Sequence, residues 1–447
     1  MVTVKRNIYI VYVTLKCNME MGKLIEWNPW WENKEELNRL MGKHRPVYDS
    51  LVNSIKIREI TIITGVRRAG KSTLMYQMIH NLLEENVDPK QILFVNLEDK
   101  KLTEDSLEDI YTSYRENLNP DKKSFIFLDE VHKKDGWESW IRKKYDLKSN
   151  DKFVISGSCS YLLKKEYSTL LTGRNLTFEV FPLSFPEFLS FSKIEFDLDN
   201  LKKGIVLEKT KISILNHLKE YFSIGGFPEI ILKQKEYKIK LLKQYFDDIL
   251  YKDIIDRYNL NSQKTKDLAL YLMTNFTSFI SLRNLRGTLS LSYDTIKDYL
   301  SYFKEAFLFF TLDHFSYSLK EQKNLASKIY CIDNGLRNAI SFKFSEDEGK
   351  LAENLVFLEL KRREEEVYYW KNEKHHEVDF VIKNKNNSLT AINVSYTDEI
   401  DEREINALLE FNKSFSKTNE LFILTRNLEK KEGNIRFVPL WKWLIVK

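Results

Sequence analysis

The sequence predicts an α/β protein whose first half is built on a parallel sheet, and three observations predict it. From Arg58 to about Pro186, short apolar runs alternate with amphipathic helical patterns, as strands buried on both faces require. A glycine-framed segment, Gly65 to Ser72, separates the first of those runs from a helical pattern. A later apolar run, Ser124 to Leu128, ends in two adjacent acids, Asp129 and Glu130.

Composition supports this class and excludes others. Of 447 residues, 43% are hydrophobic and 30% charged, enough to bury a core, and Gly and Pro are too scarce for a fibrous or low-complexity chain. Seventy Lys and Arg against 65 Asp and Glu leave a net charge of +5, too small to indicate nucleic acid by itself. Cys17, Cys159 and Cys331 are far apart, which excludes a disulfide scaffold or zinc ribbon and suits a reducing, cytoplasmic compartment. No apolar run approaches the ~18–20 residues of a membrane-spanning helix, so no membrane partner is expected. The run Ile8–Leu15, after Lys5 and Arg6, is too short for a signal peptide and lacks a small-residue cleavage site. The simpler reading is an unstructured extension, with translation starting at Met19 or Met21.

The expected strands of the first half are Ile60–Thr64, Ile92–Leu97, Phe125–Leu128, Phe153–Ile155 and Phe178–Phe181. From Ser213 to Ala306 the apolar spacing is almost wholly helical. After Leu308 strands and helices mix. The resulting division is an extension over 1–45, a nucleotide-binding domain over 46–200, a helical region over 201–310 and a C-terminal α/β domain over 311–447.

Gly65-Val66-Arg67-Arg68-Ala69-Gly70-Lys71-Ser72 fits G-x-x-x-x-G-K-[ST] in the context the motif needs, after a strand and before a helix that begins at Thr73. The two glycines let successive N–H groups turn inward on phosphate oxygens at a helix's positive end. Residues 65–73 are therefore the candidate nucleotide-binding segment. Lys71 is suited to the β- and γ-phosphates and the Ser72 hydroxyl to Mg²⁺. Asp129 is the second candidate ligand for Mg²⁺, and Glu130 the candidate base for the attacking water. Two acids rather than one favour hydrolysis over binding alone. Ser156, ending the next strand, could touch the γ-phosphate or the lytic water, or simply close a Ser-Gly turn. Arg174 could stabilise the transferring phosphoryl, in cis or from a neighbouring subunit, or serve as a structural ion-pair partner. Arg67 and Arg68, at variable positions of the loop, read more readily as surface residues than as catalytic ones.

These blocks together resemble a known family, the archaeal and bacterial AAA-like P-loop ATPases that carry a C-terminal domain of uncharacterised function. The resemblance runs over most of the chain. It rests on Gly65–Ser72, Phe127-Leu-Asp-Glu-Val131, Ser156-Gly-Ser158 and Thr172-Gly-Arg174, with two blocks that carry no nucleotide chemistry, Phe181–Phe188 and Gly225-Gly-Phe-Pro-Glu229. It implies an ATPase core using ATP and Mg²⁺, a helical, winged-helix-like middle, and a C-terminal domain similar to the PD-(D/E)xK nuclease fold. The preference for adenine rests on the resemblance, since no clear Asn-Lys-x-Asp guanine reader is present.

The residues bear on both later parts. Between Ile280 and Ala306 a short helix, a Leu289–Ser292 turn and a second helix capped by Ser292 suit a helix-turn-helix. Lys297 is offset there by Asp294 and Asp298, so DNA is a candidate partner but packing or protein binding is the better reading. In the C-terminal third, Glu353 and Asp379 match the first two nuclease positions, but Asn393 stands where an acid is expected and Ser395 where a lysine is expected. A degenerate nuclease fold follows. Three functions remain in view: an ATPase that moves its C-terminal domains, an ATP-gated DNA-binding protein or nuclease, and a homo-oligomerising signalling switch that hydrolyses slowly.

Overall fold

The computed structural model describes residues 21–158, 171–203, 205–341 and 347–446. The Ile8–Leu15 run, Cys17 and Cys159 lie outside them. Two compact units result: residues to Gly65 with Gly70–Val180, and Val66–Ala69 with Phe181 to the end. The expected boundaries near 200 and 310 do not coincide with this division. The helical region and the C-terminal domain share one unit, and the crown of the glycine loop is counted with it.

The first unit holds five parallel strands, β1 (Ile60–Thr64), β2 (Ile92–Asn96), β3 (Ser124–Asp129), β4 (Asp151–Gly157) and β5 (Asn175–Glu179), in the order β2-β3-β4-β1-β5. β1 to β4 are almost wholly buried, as their continuous apolar runs require. β5 begins and ends earlier than the expected Phe178–Phe181. It is an edge strand with a half-exposed pattern, and the apolar Val180 and Phe181 are buried beyond its end. Helices α1 (Val47–Ile55), α2 (Lys71–Glu84), α3 (Leu107–Asn117) and α4 (Trp137–Asp146) cover the sheet. Leu24, Ile62, Val95, Ile110 and Ile141 belong to one apolar cluster on one face.

Residues 21–45 correct the expectation of an extension. Residues 21–27 are helical, and Leu24, Trp30 and Leu37 are buried. The reason lies at the open edge of the sheet. Asn28 accepts from Phe94 N at 2.7 Å and donates to Phe94 O at 2.8 Å, while the Trp31 indole donates to Ile92 O at 2.8 Å. Side chains thus satisfy the backbone groups that an edge strand leaves unpaired. Their signal in sequence was only a cluster of tryptophans.

The second unit begins with helices, including α5 (Phe185–Phe191), α6 (Glu208–Ile224) and α7 (Lys235–Asp248), the last continuing into a π-helical stretch, Ile249–Ile255. Helices α8 (Ser262–Thr274), α9 (Leu282–Leu289) and α10 (Tyr293–Glu305) follow, then an antiparallel pair, β6 (Phe309–Leu312) and β7 (Lys328–Cys331). Ser292 caps α10 through Thr295 N, as expected. A lone antiparallel bridge joins Phe279, between α8 and α9, to Lys328. Beyond α11 (Asn334–Ile340) and α12 (Glu348–Arg362), six strands, β8 (Val367–Lys371), β9 (Glu377–Lys383), β10 (Leu389–Val394), β11 (Thr418–Thr425), β12 (Lys430–Glu432) and β13 (Ile435–Pro439), form a mixed sheet in the order β12-β13-β11-β10-β9-β8, with α13 (Glu402–Ser414) between β10 and β11.

Candidate active site

The loop Gly65–Gly70 links the end of β1 to α2, and its glycines are dictated by space and dihedral. Gly65 has φ 144°, and a Cβ there would lie 2.1 Å from Val180 O. Gly70 has φ 97°, in the left-handed region that side chains avoid. Val66 and Ala69 are buried, so they shape the loop rather than meet a ligand by their side chains. The Lys71 ammonium donates to Gly65 O at 2.9 Å, so it lies folded over the start of the loop.

Ser72 and Asp129 meet as expected: Ser72 Oγ donates to Asp129 Oδ2 at 2.6 Å. β3 is not paired with β1. β4 lies between them, which sets β3 about 9–10 Å from β1. This insertion explains Ser156. Placed at the end of β4, its hydroxyl donates to Asp129 Oδ1 and accepts from Glu130 N at 3.1 Å. Ser156 therefore orders both acids, a role sequence reasoning did not assign it.

The acids differ in setting. Asp129 is buried, and burial first, then the neighbouring charge of Glu130, raise its carboxyl to about 6 against the hydrogen bonds from Ser156 and Ser72. Glu130 takes φ 54° at the strand end, and its Oε2 accepts from Ser158 N at 3.2 Å and faces His132 Nδ1 at 3.4 Å. Ser72 and Asp129 are oxygen donors of the kind a hard divalent cation takes, so the residues present fit Mg²⁺.

One expectation about arginines is corrected, and for Arg174 the ion-pair alternative is the one seen. Arg67 is not a surface residue: its guanidinium makes a two-point, buried pair with Asp253 in the π-helical stretch, at 3.1 and 2.8 Å. Arg68, half exposed at φ 69°, faces Asp248 at 3.8 Å and Glu229 at 3.9 Å, with the Tyr245 ring 5.3 Å away. Arg174 is not brought to the loop. Its carbonyl accepts from Ile60 N, at the opposite end of β1, and its guanidinium pairs with Asp146 at 2.9 Å. A five-residue strand, roughly 16 Å, separates it from the loop within this chain.

Sequence reasoning missed Asp253, for which a lone acid in a helical run gives no signal. It also gave the two blocks without nucleotide chemistry no task. Leu183 N donates to Gly226 O at 2.7 Å and Gly226 N to Asp333 Oδ2 at 2.7 Å, so the blocks fix each other. Glu229 then accepts from Tyr245 at 2.6 Å beside Arg68.

Residues 57–189 match an AAA domain, 215–347 a domain of unknown function (DUF8612) and 348–443 a second one (DUF4143). Uncharacterized protein MJ1544 of Methanocaldococcus jannaschii is 35% identical over 405 residues, spanning 86% of this chain and 88% of its own. An uncharacterized protein of Haemophilus influenzae is 27% identical over 396 residues, spanning 86% and 94%. Among solved structures, the Walker-type ATPase PABY2304 of Pyrococcus abyssi covers 67% of this chain and 95% of its own at 12% identity, with a TM-score of 0.45. The parallel core with its glycine loop is that of a P-loop NTPase, followed by a mixed-sheet region. The chain belongs to the family of MJ1544, and carries within it an AAA domain ahead of two domains of unknown function.

Proposed function

We propose that the protein is a Mg²⁺-dependent ATPase of the AAA-like class whose nucleotide cycle acts on its second unit. One observation carries this reading: Ser72, Asp129, Glu130 and Ser156 form one hydrogen-bonded chain at the end of the strand pair beyond the phosphate loop. The loop N–H groups and Lys71 bind the triphosphate, and Ser72 and Asp129 hold Mg²⁺. When bound, the ion neutralises charge on the phosphate oxygens. Glu130 accepts a proton from the attacking water, while Ser156 holds the Asp129 carboxylate and the Glu130 backbone N–H in register and Ser158 N holds the Glu130 carboxylate. The Arg67–Asp253 pair ties the crown of the loop to the π-helical stretch, the kind of local irregularity often found at functional sites. Through it the helical region responds to the loop's ligand.

Turnover of ATP tests the reading. Lys71→Ala loses binding and hydrolysis, and Glu130→Gln binds ATP with near-normal affinity while turnover falls by about a hundredfold or more. Unchanged hydrolysis in both variants rejects the assignment.

A second reading, favoured by a specific arrangement, is a winged-helix-like DNA-binding module. The order α8, the Phe279 bridge, α9, α10, β6 and β7 gives a helix-turn-helix followed by a small antiparallel sheet. The exposed face of α10 carries Asp294 and Asp298 beside Lys297, while α9 exposes Arg283 and Arg286. Duplex DNA binding that weakens on Arg283→Ala and Arg286→Ala supports this reading, and a response to ATP links it to the first. For the C-terminal mixed sheet, a degenerate PD-(D/E)xK-like fold without cleavage remains the reading.

A further inference from the structure

We infer that the carboxylate centre of the C-terminal sheet is a cation site whose resident cation is Lys328, supplied by the preceding region of the chain, so that the centre is complete without a metal. The inference depends neither on the nucleotide reading nor on the nuclease resemblance. It starts from a lysine where a strand should be apolar. Lys328 opens β7, in Lys328-Ile329-Tyr330-Cys331, and every residue of that strand is buried.

The Lys328 Nζ atom lies 3.2 Å from Glu353 Oε1 on α12, 2.6 Å from Glu377 Oε1 and 3.1 Å from Asp379 Oδ1, the last two on β9 (Glu377–Lys383). One point is thus within hydrogen-bond reach of three carboxylates. The ammonium's three donors match three acceptors, which is the condition for leaving an ion in a dry site.

The surrounding groups hold that arrangement. Tyr330 donates to Glu353 Oε1 at 2.7 Å, Lys371 to Glu377 Oε2 at 3.0 Å and Val394 N to Asp379 Oδ2 at 2.9 Å. Asn393, where an acid was expected, accepts from Asp379 N at 3.2 Å and donates to Glu404 Oε2 at 2.7 Å. The acids therefore outnumber the ammonium groups, and Lys328 fills the point that Glu353, Glu377 and Asp379 share. Phe279 covers Lys328 at 5.6 Å.

Two consequences follow. The two domains of unknown function are not independent, since a lysine from residues 215–347 neutralises carboxylates from residues 348–443. And because the ammonium holds the place of a divalent ion, removing it leaves three carboxylate oxygens about one point, the donor set that hard divalent cations take.

Mn²⁺ titration of the full chain tests this, in an Asp129→Asn background that silences the proposed nucleotide-linked metal site. The chain retaining Lys328 takes up no Mn²⁺ that a further Asp379→Asn change removes. Lys328→Ala, folded by circular dichroism, gains one Mn²⁺ at least about tenfold tighter than any uptake by the parent, and adding Asp379→Asn abolishes the gain. A folded Lys328→Ala chain that takes up no Mn²⁺ overturns the inference, as does Asp379-dependent Mn²⁺ in the chain retaining Lys328. Should Lys328→Ala not fold, Lys328→Ala/Glu377→Gln removes one charge of each sign and serves in its place. Should neither fold, the parent chain decides alone.

Discussion

At the residue scale the protein turns on how few groups hold the two acids of β3. Asp129 and Glu130 share one hydroxyl, that of Ser156, and removing it leaves two buried partners with fewer hydrogen bonds. Ser156→Ala should reduce turnover about tenfold or more while leaving nucleotide affinity near normal, a split that kcat and KM report separately. The raised carboxyl of Asp129 gives a pH dependence with a definite sign. Its folded value of about 6 lies above the ordinary 3.8, so this group favours the folded state most at low pH, and that contribution fades as pH rises through 6. Metal binding runs the other way, because Mg²⁺ must displace the proton. Affinity for Mg²⁺–nucleotide should therefore fall below pH 6, by at most about tenfold per pH unit, while affinity for nucleotide without metal stays flat. Titration of a fluorescent nucleotide with and without Mg²⁺ checks this. The sequence made Lys71, Ser72, Asp129 and Glu130 legible because their chemistry dictates their spacing. It concealed Asp253 and Lys328, whose partners lie 186 and 25 or more positions away and are set by tertiary packing.

At the element scale, the strand order shows what periodicity can and cannot tell. Apolar runs located all five strands of the first sheet, missing β5 by a few residues because an edge strand need not be apolar throughout. They carried no information on neighbours, so the separation of β3 from β1 by β4 had to be seen. The loop imposes a sharper demand. Gly65→Ala would press a Cβ against the Val180 carbonyl and hold an alanine at φ 144°, which should destabilise the chain by roughly 2–4 kcal/mol and abolish nucleotide binding. Thermal melting with and without nucleotide separates the two losses. The π-helical stretch makes a related prediction. Asp253→Asn leaves the buried guanidinium of Arg67 with a weakened partner, so stability should drop by about 3 kcal/mol and KM for ATP should rise. Denaturant unfolding and steady-state kinetics measure these effects.

At the scale of the whole molecule, the packing joins what composition and domain matches separate. Four stretches were expected along the chain. The helical middle and the C-terminal sheet instead share one unit, with Lys328 joining them at a single charged centre. A boundary inferred from a change of periodicity marks a change of secondary structure, and does not mark where packing stops. Among the described residues no helix is long and apolar enough to cross a membrane. A switch that assembles when it binds nucleotide changes size on doing so. Light scattering with and without a non-hydrolysable ATP analogue decides whether this one does.

The amide of Asn28 stands in for a missing strand by offering both a donor and an acceptor to Phe94. Such a device is open to chemical ageing, since loss of ammonia turns the donor into a second acceptor and puts a carboxylate against a carbonyl. The usual route closes a five-membered imide by attack of the next residue's amide nitrogen. Here the next residue is Pro29, whose ring nitrogen carries no proton to lose. The surrogate is followed by the one residue type that blocks its spontaneous conversion, and the edge it guards should outlast exposed asparagines elsewhere in the chain.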